Sequence, residues 1–442
     1  MEFSTYPWYI EIVEETMAKL RIKNFGPVKQ GLLDNDGFIE ITPLTVFCGN
    51  QATGKSTVAK LYSTFLWLEK ECSRYKPEVI DEHLPDFITL CKNQRIEEYL
   101  TEKTELVYIG SIFSFYYTDG KLRCNAELYN SFLLEYKHPK IMYVPSERNL
   151  LATIEDAENI KNLPLMLSVF LDEYNKAKKN SKTGLFKIPV SDITVKYNKE
   201  NLSTRVITKD NESVSIYNSS SGVQSVVPLS IVTRFLAENS VFDLEKDIQS
   251  LSNNEKKQLK PVLQNPLFFQ FGGYEQAEEF MDAVLYGRKY DKEQYEKISI
   301  ALKPFFNSCF VNIVEEPEQN LYPDSQSKVL YELIECMNVT ENNSLFFTTH
   351  SPYMLSFLTL AAKADNLLKR GVPEEKIEPI VPVKAAVSGK KISVYETFED
   401  GSIRKLEPYD ELPSDDNLLN KAMAQGNELF AQLIDLEQDF CG

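Results

Sequence analysis

The stretch Gly49-Asn50-Gln51-Ala52-Thr53-Gly54-Lys55-Ser56 decides how this chain of 442 residues is read. Its two glycines let the backbone turn consecutive N–H groups inward toward an anion. Lys55 brings charge to β/γ-phosphates, and the Ser56 hydroxyl suits Mg²⁺. The run 44–47 before it is mostly apolar and reads as a buried strand, and residues 57–75 after it carry apolar side chains at helical spacing. Strand, glycine loop and helix in that order are what a phosphate loop requires, so this loop with Thr57 behind it is the candidate site for ATP and Mg²⁺.

Outward from the loop, residues 18–25 alternate apolar and basic and read as a strand, Gly26-Pro27 punctuates, and 38–41 is a further strand. Downstream we expect a charged helix over 93–104, aromatic strands such as 111–117, a strand at 141–144 and a helix over 162–179. Residues 193–217 read as β-hairpins with turns at 198–201 and 209–212. A second helical block spans 224–306, within which the polar stretch 243–270 reads as an insertion. Strands return at 310–314 and 344–348. The tail 377–406 reads as strands around Glu399-Asp400-Gly401, and an amphipathic helix over 417–436 follows, with no long heptad array or 20 to 50 residue repeat. The fold class is α/β.

Two further strand ends carry chemistry. Residues 310–318 form an apolar strand ending in Glu315-Glu316-Pro317-Glu318, which places acids at the carboxyl edge of a sheet, where nucleotides sit in open α/β folds. One acid would approach Mg²⁺ and its neighbour would orient and deprotonate the attacking water; an exposed strand end is the plainer alternative. Residues 344–352 form another strand, ending in His350, 34 residues after Glu316 across one helix. That histidine either senses the γ-phosphate or is a structural hydrogen-bonder. Finally, Asn218-Ser219-Ser220-Ser221-Gly222-Val223-Gln224-Ser225 precedes an apolar helix over 226–235, either as an anion-binding N-terminus or as a simple serine cap.

Composition excludes several classes. Hydrophobic residues at 43% and charged residues at 26% are ordinary globular values, and no run of about 18 apolar residues would span a membrane. No secretory leader is readable in the first thirty residues, which predicts a cytoplasmic protein. Seven scattered cysteines without a C-x-x-C pair, and three histidines, fit reduced thiols and not a disulfide frame or zinc site. A net charge of −17 disfavours a protein that coats nucleic acid and favours protein partners.

The phosphate loop, the serine-glycine helix start, the strand with E-E-P-E and the strand with T-H-S-P occur in that order. Residues 18–359 therefore resemble the ABC-type ATPase fold of the RecF, SMC and OLD-nuclease group. The resemblance implies a P-loop ATPase head with a mixed β-sheet, a helical lobe carrying a signature motif, and a helical insertion before Walker B. The corresponding segments are an extension 1–17, a first lobe 18–140 with Walker A, a signature lobe 141–309, a core segment 310–359 and C-terminal strands and helix 360–442. It places Lys55 and Ser56 in Walker A and Glu315 as the metal-side acid. Glu316 falls on the catalytic base, Ser221, Gly222 and Gln224 on the signature, and His350 on the switch histidine. It further implies a head-to-head homodimer, or a higher assembly of dimers, in which each signature completes the opposite ATP site and hydrolysis is coupled to opening.

Three departures mark a subfamily and imply slow hydrolysis. Val223 stands where a second signature glycine is usual, Glu315 where aspartate is commoner, and Pro145-Ser146-Glu147-Arg148 occupies the Q-loop place without a glutamine. About 165 residues separate Ser56 from Ser221, too few and without heptads for an SMC coiled coil. Just over ninety residues follow His350, with no E-G-x-x-E and D-x-D pattern, so a fused TOPRIM nuclease is not expected. The stretches 143–149 and 220–225 resemble the ATPase of the PARIS anti-phage defence system, with the Septu ATPase a near relative. That resemblance implies a scaffold that restrains a separate TOPRIM-like nuclease and releases it on sensing a phage protein. The alternative is a RecF-like repair ATPase that binds DNA through Arg21, Lys23, Lys29 and the basic run 176–187, itself readable as a solvated helix end. A scaffold that binds ATP only to fix its oligomer is the third reading.

Overall fold

A computed structural model of the chain describes residues 16–75, 80–132, 135–155, 157–240 and 307–441. Its centre is a seven-stranded sheet in the order Gly31–Leu32, Ser402–Lys405, Ile392–Thr397, Leu44–Gly49, Ser344–Thr349, Cys309–Glu315, Pro139–Val144. The last five run parallel to one another, and Ser402–Lys405 is antiparallel to Ile392–Thr397. Both faces are covered, which is why Leu44–Gly49, Cys309–Glu315 and Ser344–Thr349 are buried at every residue and read as continuous apolar runs.

The strand period of two divides these runs between two cores. Leu44, Val46, Cys48, Val314, Leu345 and Phe347 face a core built with the helices Leu165–Asn180, Ser221–Asn239, Pro323–Met337 and Pro352–Lys369. Phe47, Ile313, Phe346 and Tyr395 face the other core, formed with the helix Lys55–Cys72 and the five-stranded antiparallel sheet Phe38–Ile41, Ala18–Lys23, Glu105–Ile109, Ser114–Thr118, Lys121–Asn125. Phe47 stacks between Phe346 and Tyr395 at 5.3 and 5.0 Å, and Tyr62 of the helix stacks on Phe346 at 5.5 Å. Each such ring buried is worth roughly 1.5–3 kcal/mol, so the strand that ends in the phosphate loop is among the most firmly held parts of the molecule. The hairpins expected over 193–217 are present as Thr194–Tyr197, Thr204–Ile207 and Ser213–Ser215, joined by Leu185–Lys187 in a four-stranded antiparallel sheet.

Two expectations are corrected. No helix covers 93–104: the helix Phe87–Asn93 ends there, Arg95 takes a left-handed φ of 59°, and only one turn, Glu97–Tyr99, follows before the next strand. Ile96 is buried and Tyr99 packs edge-on against Phe25 at 5.7 Å, so apolar anchoring overrides the helical propensity of the charged residues. In the tail, strands form only at Ile392–Thr397 and Ser402–Lys405, and 377–391 makes short helical turns. Pro379 and Pro382 have no N–H to give a ladder. The amphipathic helix runs over Leu418–Cys441. The insertion expected at 243–270 and most of the extension 1–17 lie outside the described residues. Among the described residues no helix is long and apolar enough to cross a membrane.

Candidate active site

Five loops leave the carboxyl ends of the parallel strands on one edge of the sheet, because parallel strands joined by crossovers all point the same way. The loop after Leu44–Gly49 takes backbone conformations that glycine serves best: φ is 138° at Gly49 and 105° at Gly54. A Cβ at Gly49 would stand 2.5 Å from the Thr397 carbonyl oxygen, and one at Gly54 would stand 2.7 Å from Val28 Cγ2. The loop is buttressed from the strand Ile392–Thr397 and the turn behind it. Thr53 Oγ1 meets Thr397 Oγ1 at 2.6 Å, and Asn50 Nδ2 donates to Glu399 Oε1 at 3.0 Å. Asn50 Oδ1 accepts from the Gln51 N–H at 2.8 Å, and Ala52 sits at φ 61°.

Lys55, the first residue of its helix, is 5% exposed and donates from Nζ to the carbonyls of Gly49 at 3.0 Å and Asn50 at 2.5 Å. Burial pulls its amine down to about 8, against the attraction of Glu316 and Glu318. Ser56 Oγ donates to Glu315 Oε2 at 3.1 Å, and the Tyr143 hydroxyl donates to Glu315 Oε1. Tyr143 is brought there by the parallel register that pairs it with Ile313. Burial raises the Glu315 carboxyl, while the bonds from Tyr143 and Ser56 oppose the rise.

Glu316 follows at a left-handed φ of 44°, a conformation that costs a non-glycine residue about 1–3 kcal/mol and persists only when its surroundings impose it. Here they do. The fully buried Arg148 guanidinium donates to the carbonyls of Glu315 and Glu316, both at 2.7 Å, and the Glu316 N–H donates to the Thr348 carbonyl at 3.0 Å. The Glu316 side chain turns out of the sheet and its Oε1 lies 3.3 Å from His350 Nε2. That hydrogen bond holds the carboxyl below the usual carboxylate range, against burial. Glu318 folds back beneath them, accepting from the His350 N–H at 2.7 Å and Thr349 Oγ1 at 2.8 Å, and burial raises its carboxyl. Its other oxygen, Oε2, is buried without a hydrogen-bond partner.

The structure thus brings together Gly49 to Ser56, Glu315, Glu316 and His350, with Thr57 buried behind the loop. Ser221 is exposed at the start of the helix Ser221–Asn239, and Gly222 lies against the chain just past Glu316, where a Cβ would stand 2.7 Å from the Asn320 carbonyl oxygen. Gln224 points inward: its amide donates to the carbonyls of Ile216 and Tyr217 at 3.2 and 2.9 Å and accepts from Thr153 at 3.3 Å, which holds the serine loop in shape. Tyr143, Arg148, Glu318, Thr397 and Glu399 also belong to the site, beyond the residues to which the sequence points. Tyr143 and Arg148 lie in the stretch 143–149, Glu318 in the E-E-P-E run, and Glu399 in the turn after the strand that Thr397 ends.

The residues fit a nucleotide triphosphate with a hard divalent cation. A Cβ at either loop glycine would collide with its neighbours, the buried ammonium of Lys55 adjoins backbone oxygens, and the hydroxyl and carboxylate of Ser56 and Glu315 are oxygen donors of the kind Mg²⁺ takes. No protein-family model matches the chain, and no curated protein does. Among solved structures, the chain is similar to an SMC head domain from Thermotoga maritima, at 9% identity over 90% of this chain and 98% of that one, with a TM-score of 0.35. It is also similar to an Smc head with an extended coiled coil bound to the C-terminal domain of ScpA from Pyrococcus furiosus, at 11% identity over 93% and 98%, with a TM-score of 0.36. A third similar structure is an Smc head bound to the C-winged helix domain of ScpA, at 10% identity over 88% and 95%, with a TM-score of 0.34.

Proposed function

We propose that the chain is an ATPase of the ABC type, binding ATP with Mg²⁺ at residues 49–57 and hydrolysing it slowly. The observation that carries this reading is the meeting of Lys55, the Ser56–Glu315 pair and the Glu316–His350 pair at one sheet edge. Lys55 and the loop N–H groups bind phosphate, while Ser56 and Glu315 hold the cation. When bound, Mg²⁺ neutralises charge that develops on the phosphate oxygens. Glu316, kept ionised by His350, accepts a proton from the attacking water. Arg148 fixes the backbone from which Glu316 projects, and Glu318 ties the His350 loop to the same unit.

In the fuller reading two protomers associate head to head, each supplying Ser221 and Gly222 to the other's ATP, and hydrolysis releases them. We further propose that this switch answers a phage protein and controls a separate nuclease chain, as the resemblance of 143–149 and 220–225 implies. The experiment is a pull-down of the Glu316→Gln chain with ATP and Mg²⁺, followed by mass analysis. A captured nuclease supports this reading; a dimer that captures only DNA overturns it in favour of repair.

A further inference from the structure

Among the described residues, the helix Leu418–Cys441 packs on the rest of the protein only at its root. Its root is anchored: the Leu418 N–H donates to Glu396, Leu419 packs on the larger core, and Lys421 pairs with Asp416 at 2.6 Å. From 421 to 440 every residue is exposed, including Leu429 at 52%, Phe430 at 65% and Leu433 at 63%. Apolar or small residues nevertheless recur at Leu419, Ala422, Gly426, Leu429, Leu433, Leu436 and Phe440, in steps that alternate three and four. That is a heptad seam, the face by which helices pair in coiled coils. Gly426 sits in its middle, where glycine weakens an exposed helix, and nothing lies within 4 Å of the place a Cβ would take. The glycine leaves room along the seam for a large side chain, and none fills it within the described residues.

We propose that this helix pairs antiparallel with the same helix of a second copy of the chain. Side-chain volume sets the direction. An antiparallel register with Gly426 opposite Leu429 also puts Ala422 opposite Leu433, and by the two-fold symmetry each small residue meets a leucine. Leu436 then meets Leu419 at the root, where the seam runs into the core of the other copy. A parallel pair would set Gly426 on Gly426 and Ala422 on Ala422, leaving voids. Charge agrees: Glu428, Asp435, Glu437 and Asp439 lie toward the far end and Lys421 near the root. Antiparallel pairing separates the two acidic ends, whereas parallel pairing stacks them. This contact is separate from the nucleotide site and does not depend on its reading.

The test is sedimentation in buffer without nucleotide, with cross-linking in a Cys441→Ser background. The native chain is expected to sediment as an even number of protomers, and Leu429→Asp with Leu433→Asp to halve that mass with the thermal unfolding of the body unchanged. Ala422→Cys and Leu433→Cys chains are expected to form a disulfide when mixed, and neither to do so alone. Self-cross-linking of Ala422→Cys would show parallel pairing and overturn the proposal. A monomeric native chain, or a mixture that does not cross-link, would overturn it in favour of a foreign partner on this face.

Discussion

Glu316 Oε1 and His350 Nε2 meet at 3.3 Å, at the ends of two neighbouring parallel strands whose register pairs Glu315 with Thr348. The contact lowers the Glu316 carboxyl, so the base form survives on the acid side of the ordinary carboxylate range. Glu316→Gln is expected to cut phosphate release by about 10² to 10⁴-fold with ATP affinity retained, because the amide cannot take the proton. Single-turnover assays beside equilibrium binding check both halves.

Lys55 gives a pH dependence with a definite sign. Its amine is pulled down to about 8 by burial, so in the free protein the cation is progressively lost as pH rises through that value. If phosphate binds the ammonium form, ATP affinity weakens above pH 8, by up to about tenfold per unit. Calorimetric titration between neutral and alkaline pH measures this; an affinity flat across the range would contradict the role given to Lys55.

Arg148 is a structural clamp on a strained turn. Removing it in Arg148→Ala leaves the carbonyls of Glu315 and Glu316 without their buried donor and no longer holds Glu316 at φ 44°. Urea denaturation is expected to show a loss of roughly 3 kcal/mol, with hydrolysis falling more than the loss of folded protein explains.

Glu318 links the acid loop to the histidine loop. Glu318→Ala frees the His350 N–H and Thr349 and is expected to lower the hydrolysis rate about tenfold or more, with ATP affinity little changed. Glu318→Gln keeps an acceptor for these donors and is expected to retain most activity. Equal loss in both variants would show that the charge matters and the clamp does not.

The phosphate loop was legible because its residue types are fixed by local geometry: φ at Gly49 and Gly54 demands glycine, and the strand before the loop is buried on both faces. Glu315, Glu316 and His350 were legible as polar residues ending apolar runs. Tyr143 and Arg148 reach Glu315 from a strand and loop about 170 residues earlier, and Thr397 and Glu399 reach the loop from nearly 350 residues later. Their roles come from sheet register, which no local pattern carries. The tail forms its strands on either side of Glu399-Asp400-Gly401, but Pro379 and Pro382 keep 377–391 out of the sheet, and in 93–104 the buried Ile96 outweighs the charges that suggest a helix.

The most direct test of the central claim is titration of ATP and Mg²⁺ into the native chain and into Lys55→Ala. The account predicts saturable binding at one site per protomer in the native chain and its loss in Lys55→Ala. Unchanged binding in that variant, or none in the native chain, would contradict it.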